Sequence, residues 1–133
     1  MGYRSDVAYR IRFEDEDALR EFVALVLAKG EKDLTTALYD CEVADEDTLA
    51  FYTTDVKWYE SFVDVQAHHA LLNFAEEIFG ERSGYMFMRI GEDADDVDTR
   101  YAGENELIPS EDFYIVRHIN LPDSKTISME TWL

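Results

Sequence analysis

The sequence predicts an α+β fold, and three observations carry that reading: a period-two apolar alternation near the N-terminus, two stretches of three- and four-residue apolar spacing, and several β-patterned segments between and after them. From Asp6 to Phe13, Val7, Tyr9, Ile11 and Phe13 alternate with Ala8, Arg10 and Arg12, which predicts a half-buried strand. The acidic run Glu14 to Asp17 follows. Leu19, Phe22, Val23, Val26 and Leu27 then recur at helical spacing until Lys29-Gly30, with carboxylates at the positive end of the helix and Gly30 at its stop.

Leu38 to Val43 and Thr48 to Val56 read as two strands joined by the short polar connection Ala44-Asp45-Glu46-Asp47, which suits a hairpin. A second helix is predicted from Trp58 to Phe79, with Phe62, Val65, His69, Leu72, Ala75, Ile78 and Phe79 on one face and Gly80 as its stop. A strand starts near Gly84 and carries Tyr85 to Ile90. Residues 91–111 are polar, acidic and broken by Gly91, Gly103 and Pro109, so they read as a long loop holding at most a short strand near Thr99 to Ala102. Phe113 to Leu121 reads as a last strand, closed by Pro122-Asp123, with a tail through Trp132-Leu133 packing back on the body. The order is β-α-β-β-α-β plus an extra C-terminal strand, the pattern of a ferredoxin-like antiparallel sheet with two helices on one face. No repeat or linker composition interrupts residues 1–133, so one domain is expected.

A chain of 133 residues that is 47% hydrophobic and 14% aromatic has the material for one core. No apolar run approaches the roughly twenty residues that span a bilayer, and the start of the chain lacks the apolar core of a secretory signal. A cytoplasmic location is expected. The single cysteine, Cys41, has no partner for an internal disulfide, in agreement with a reducing compartment. Thirty acidic residues against twelve basic ones leave a net charge of −18, a field that repels nucleic acid and anionic membrane and favours basic protein surfaces. Solubility alone is also a sufficient cause of such charge.

The densest acidic cluster is Glu92, Asp93, Asp95, Asp96 and Asp98. Counting Asp93 as the first ligand of a calcium loop puts Val97 at the fifth place and Asp98 at the sixth, where glycine is wanted, so a solvated or partner-binding loop is the better reading and no metal is assigned. Asp40, Glu42, Asp45, Glu46 and Asp47 form a second patch around the expected hairpin, and Glu14 to Asp17 a third at a helix start. His68 and His69, adjacent on a helix, point about 100° apart and lack the i, i+4 partner of a metal pair. His69 on the apolar stripe reads as a core-edge histidine, and Cys41 as packing. No phosphate loop, nucleophile elbow, H-E-x-x-H or C-x-x-C occurs, so neither a catalytic residue nor a cofactor is assigned.

Arg10, Arg12, Arg89 and Arg117 all fall on expected strands and form a candidate anion-binding stripe on the open side of the sheet, flanked by Tyr85 and Phe87 as stacking surfaces. The competing reading pairs these arginines with strand acids across the sheet.

Three segments, Met1 to Val7 (MGYRSDV), Trp58-Tyr59-Glu60 followed by Asp64-Val65, and Phe87 to Asp93 followed by Asp95-Asp96, are similar to those of a class of small acidic phage and prophage proteins beginning MGYRSDV. That class carries no established activity, so the resemblance transfers no residue role. It implies a viral or mobile-element protein acting in the cytoplasm of a bacterial host cell. Charge and implied origin together lead to the expected function: a non-enzymatic accessory protein, an acidic inhibitor or modulator that engages a basic surface of a host protein such as a nuclease, a CRISPR component or a restriction component, in the manner of a DNA mimic. Asp45, Glu46, Asp47, Glu92, Asp93, Asp95, Asp96 and Asp98 are the expected contact residues, with Trp58 and Tyr59 as aromatic anchors. The alternative is a small-molecule or nucleotide binder using the arginine and aromatic sheet face. A homodimer is left open.

Overall fold

The computed structural model describes residues 2–93 and 95–109. The expected strand from Phe113 to Leu121, with Arg117 and His118, and the tail through Trp132-Leu133 lie outside the described residues.

Strand β1, Ser5–Phe13, is the centre of the sheet, and the alternation read in the sequence is its cause. Val7, Tyr9, Ile11 and Phe13 are fully buried against the helices, while Asp6, Arg10 and Arg12 are half-buried on the opposite face. Helix α1, Glu16–Lys29, begins where the Asp15 side chain accepts a 2.7 Å hydrogen bond from the Ala18 N–H. It ends at Gly30, whose φ of 71° is left-handed and open to glycine without penalty.

The chain then departs from the sequence expectation. Lys32–Asp40 is a helix, α2, with Leu34, Ala37 and Leu38 buried at three- and four-residue spacing, so Leu38 to Asp40 are helical and not the start of a strand. Strand β2 is reduced to Glu42–Asp45 and pairs with β3, Thr48–Val56, across the turn at Glu46-Asp47. Helix α3, Val63–Phe79, starts five residues later than the expected Trp58. Its buried face runs through Val65, Ala67, His68, Leu71, Leu72, Ala75 and Phe79, whereas Phe62 and Ile78 are exposed. Strand β4 is Ser83–Gly91 and β5 is Val97–Gly103, followed by a single 3-10 turn at Asn105–Leu107. Within the expected long loop from 91 to 111, the described residues up to 109 carry β5 and the 3-10 turn.

The sheet order is β2-β3-β1-β4-β5, and every neighbouring pair is antiparallel. With five strands and three α-helices among the described residues this is an α+β antiparallel-sheet fold but not the four-stranded, two-helix ferredoxin-like arrangement: β5 extends the sheet beyond β4, and α2 stands between α1 and β2. One continuous core joins Tyr9, Phe13, Leu49, Tyr85 and Phe87 of the sheet to Phe22, Leu38, Leu71 and Phe79 of the helices. Register places Ala8, Arg10, Tyr52, Met86, Met88 and Tyr101 together on the other sheet face. No described helix is long and apolar enough to cross a membrane.

Candidate functional site

Two acidic segments that are thirty residues apart in the chain meet at one end of the sheet. The Phe13 N–H donates to the Asp47 carbonyl at 2.8 Å, which fastens the β2–β3 turn to the end of β1, where the chain enters α1. The result is a depression of about 510 Å³ lined by Asp15, Glu16, Asp45, Glu46 and Asp47 and, among the described residues, by no basic one. Their side chains are only partly engaged. Asp15 caps α1, Glu16 takes the Arg20 guanidinium at 2.7 Å, and Asp47 accepts from the Thr48 hydroxyl at 2.8 Å. Asp45 and Glu46 are exposed and form no ion pair with any described residue.

Among the described residues no set of three or more His, Cys, Asp or Glu side chains converges as metal ligands would.

The turn after β4 behaves differently. Arg89 binds Asp96 and Asp98 at 2.7 Å each, and these hydrogen bonds, Asp96 first, hold its pKa well above the usual arginine value. Asp96 also accepts from the Tyr3 hydroxyl at 2.6 Å, Asp93 donates its N–H to the same oxygen at 3.0 Å, and Glu92 accepts from the Arg4 N–H. A single guanidinium thus ties down two of the five expected contact carboxylates and offsets one of their two charges, leaving Glu92, Asp93 and Asp95 outward. Ser5 pairs with Gly91 at one end of β1 and Phe13 pairs with Ser83 at the other, so this turn and the acidic depression lie at opposite ends of the strand. Eight steps of about 3.3 Å set them roughly 26 Å apart.

The arginine stripe is not assembled as expected. Arg10 and Arg12 share the open face with Met86 and Met88, but Tyr85, Phe87 and Arg89 alternate onto the helix-facing side, where both rings are 3% exposed. Arg117 lies outside the described residues. Trp58 and Tyr59 are also spent internally. Trp58 packs among Phe51, His68 and Phe87 at ring distances of 6.1, 5.7 and 6.3 Å, and the Tyr59 hydroxyl accepts from the Tyr3 N–H at 2.7 Å.

The sequence reading missed a polar chain in the core. The Tyr9 hydroxyl lies 2.7 Å from His68 Nδ1, and His68 Nε2 lies 3.0 Å from Asp40 Oδ2. Because the carboxylate only accepts, Nε2 carries the proton and Nδ1 receives the Tyr9 O–H. Cys41 Sγ is 3.3 Å from the same hydroxyl, and burial pushes its thiol up to about 12, so it stays protonated at neutral pH. Tyr9, His68 and Cys41 are 0%, 2% and 0% exposed, which keeps substrate away from all three. No local motif announces this chain, since its members come from β1, the end of α2 and α3. Comparison with protein-family models, curated proteins and solved structures returned no match.

Proposed function

We propose that the protein is a non-enzymatic interaction protein that docks its acidic end, Asp15, Glu16, Asp45, Glu46 and Asp47, onto a basic surface of another protein. The observation that carries this reading is the gathering of five carboxylates from two distant segments around one depression that no described basic residue lines. A net charge of −18 adds long-range steering toward cationic partners and repulsion from nucleic acid. The resemblance to small phage proteins supports a partner of bacterial origin, and a basic nucleic-acid channel of a nuclease, CRISPR or restriction protein offers the matching chemistry. In this reading the protein competes for that channel as a rigid array of carboxylates in place of phosphates.

Affinity capture from a bacterial lysate, compared between the native chain and the double variant Asp45→Asn, Glu46→Gln, tests it. Exposed ion pairs contribute about 0.2–1 kcal/mol each, so the variant is expected to weaken capture by roughly two- to thirtyfold. Raising salt from about 0.05 to about 0.5 M is expected to release the partner. Recovery of the same proteins with both chains at both salt concentrations contradicts the reading.

A further inference from the structure

Among the described residues no strand lies beyond β5, so this edge of the sheet ends in unpaired backbone. Which groups face outward follows from the bonds at the two ends of the strand. The Gly91 N–H donates to the Asp96 carbonyl at 2.8 Å and the Glu104 N–H to the Ser83 carbonyl at 2.9 Å, each between directly opposed residues of the β4–β5 register. Antiparallel strands exchange bonds at every second pair, so Asp98, Arg100 and Ala102 turn their backbone groups toward β4, and Val97, Thr99 and Tyr101 turn theirs outward. The Val97 N–H is taken by the Asp95 carbonyl at 3.1 Å, and the other outward groups of these three residues have no partner among the described residues.

The side chains along this edge divide by face. Val97 and Tyr101 are 47% and 66% exposed on the open sheet face, while Asp98 and Arg100 lie on the helix-facing side. In a chain of net charge −18, β5 holds one acid and one base, whereas the opposite edge, β2, holds two acids and no base. Neither charge of β5 is used up. Asp98 gives one oxygen, Oδ2, to Arg89 at 2.7 Å, and its side chain is 61% exposed. Arg100 donates to two neutral groups, His69 Nδ1 at 3.1 Å and the Tyr85 hydroxyl at 3.2 Å, and has no carboxylate within ion-pair distance among the described residues.

We propose that β5 pairs with β5 of a second copy of this chain, antiparallel about a two-fold axis at Thr99, so that one continuous sheet runs through a homodimer. Thr99 then exchanges both of its backbone bonds with its own copy, and the Tyr101 N–H of each chain donates to the Val97 carbonyl of the other. The charge pattern selects this register. With Thr99 at the axis, Asp98 stands opposite Arg100 of the second copy in the closely spaced, non-hydrogen-bonded pair, and symmetry repeats the match; Val97 stands opposite Tyr101 on the other face. An axis at Asp98 or at Arg100 opposes like charges, and an axis at Tyr101 sets Asp98 against Glu104. A contact between two strands is small, so the dimer is weak and grows with concentration. The inference uses none of the residues of the acidic end, so either proposal can fail without the other.

Sedimentation velocity from about 5 to about 500 µM, at about 0.3 M sodium chloride to screen repulsion between two acidic copies, tests the proposal. The average mass is expected to rise from one chain toward two. Thr99→Pro removes the N–H at the axis, which does not serve β4, so the fold is expected to persist by circular dichroism while association weakens by roughly tenfold or more. Asp98→Arg and Arg100→Asp each set like charges together and are each expected to weaken association by roughly tenfold or more. An equal mixture of these two variants opposes unlike charges at both positions and is expected to restore it, a recovery that damage to the fold does not produce. A single-chain mass at every concentration, association undiminished in Thr99→Pro, or charge variants that associate no better mixed than singly overturns the assignment.

Discussion

At the scale of single residues, the Tyr9 hydroxyl determines how the centre of the core is satisfied. It serves His68 and Cys41 at once, and His68 passes the connection to the half-exposed Asp40, so a polar chain leads from the middle of β1 to the surface. Burial lowers the His68 pKa despite the opposing pull of Asp40. The consequence for stability has a definite sign. Above the ordinary histidine value of about 6.5 both native and unfolded states hold a neutral ring; below it the unfolded chain takes up the proton first, so stability is lost as pH falls toward the native value. Urea denaturation between about pH 7.5 and 5.5, a window above most carboxylate titration, is expected to show falling stability in the native chain and a flatter profile in His68→Gln. Equal slopes for the two chains contradict this account. The adjacent His69 has a lowered pKa as well and remains in the variant.

At the scale of elements, the turn between β4 and β5 shows why an acidic run need not be a binding loop. Gly91 lets Asp96 and the Tyr3 ring come so close that an added Cβ would overlap both. Gly91→Ala is therefore expected to displace the Tyr3–Asp96 contact and cost about 1–3 kcal/mol of unfolding free energy, measured by chemical denaturation. A change near zero would mean that the turn relaxes freely. The legible elements were those with long periods: β1 with four alternating core positions, α1 with its acidic start and glycine stop, and the body of α3. Helix α2 was not legible, because only Leu34, Ala37 and Leu38 mark its face and the following Tyr39 to Val43 reads equally as a strand. Strand β5 was hard to see for another reason. Among the described strands it lies at the sheet edge, is mostly exposed, and carries little apolar alternation to mark it.

At the scale of the whole molecule, the charge of −18 is distributed unevenly, with the acidic depression and the β4–β5 turn at opposite ends of β1 and arginines on the sheet between them. Self-repulsion on this scale destabilises the compact state, and salt screens it. Raising sodium chloride from about 0.02 to about 0.5 M is expected to move the thermal midpoint upward, read by circular dichroism. A falling midpoint would mean that internal pairs such as Arg89 with Asp96 and Asp98, and Arg82 with Glu14 and Glu21, outweigh the net repulsion.

The sequence by itself determined the α+β class, the central strand and two of the helices, and the sign of the chain's own net charge, because periodicity and composition are local or additive properties. Only the tertiary structure decided which carboxylates stand together, which are tied to Arg89, and that Tyr9, His68 and Asp40 join in one polar chain. Those facts depend on strand order and register, which bring residues from distant parts of the chain within a few ångströms and which no local pattern encodes.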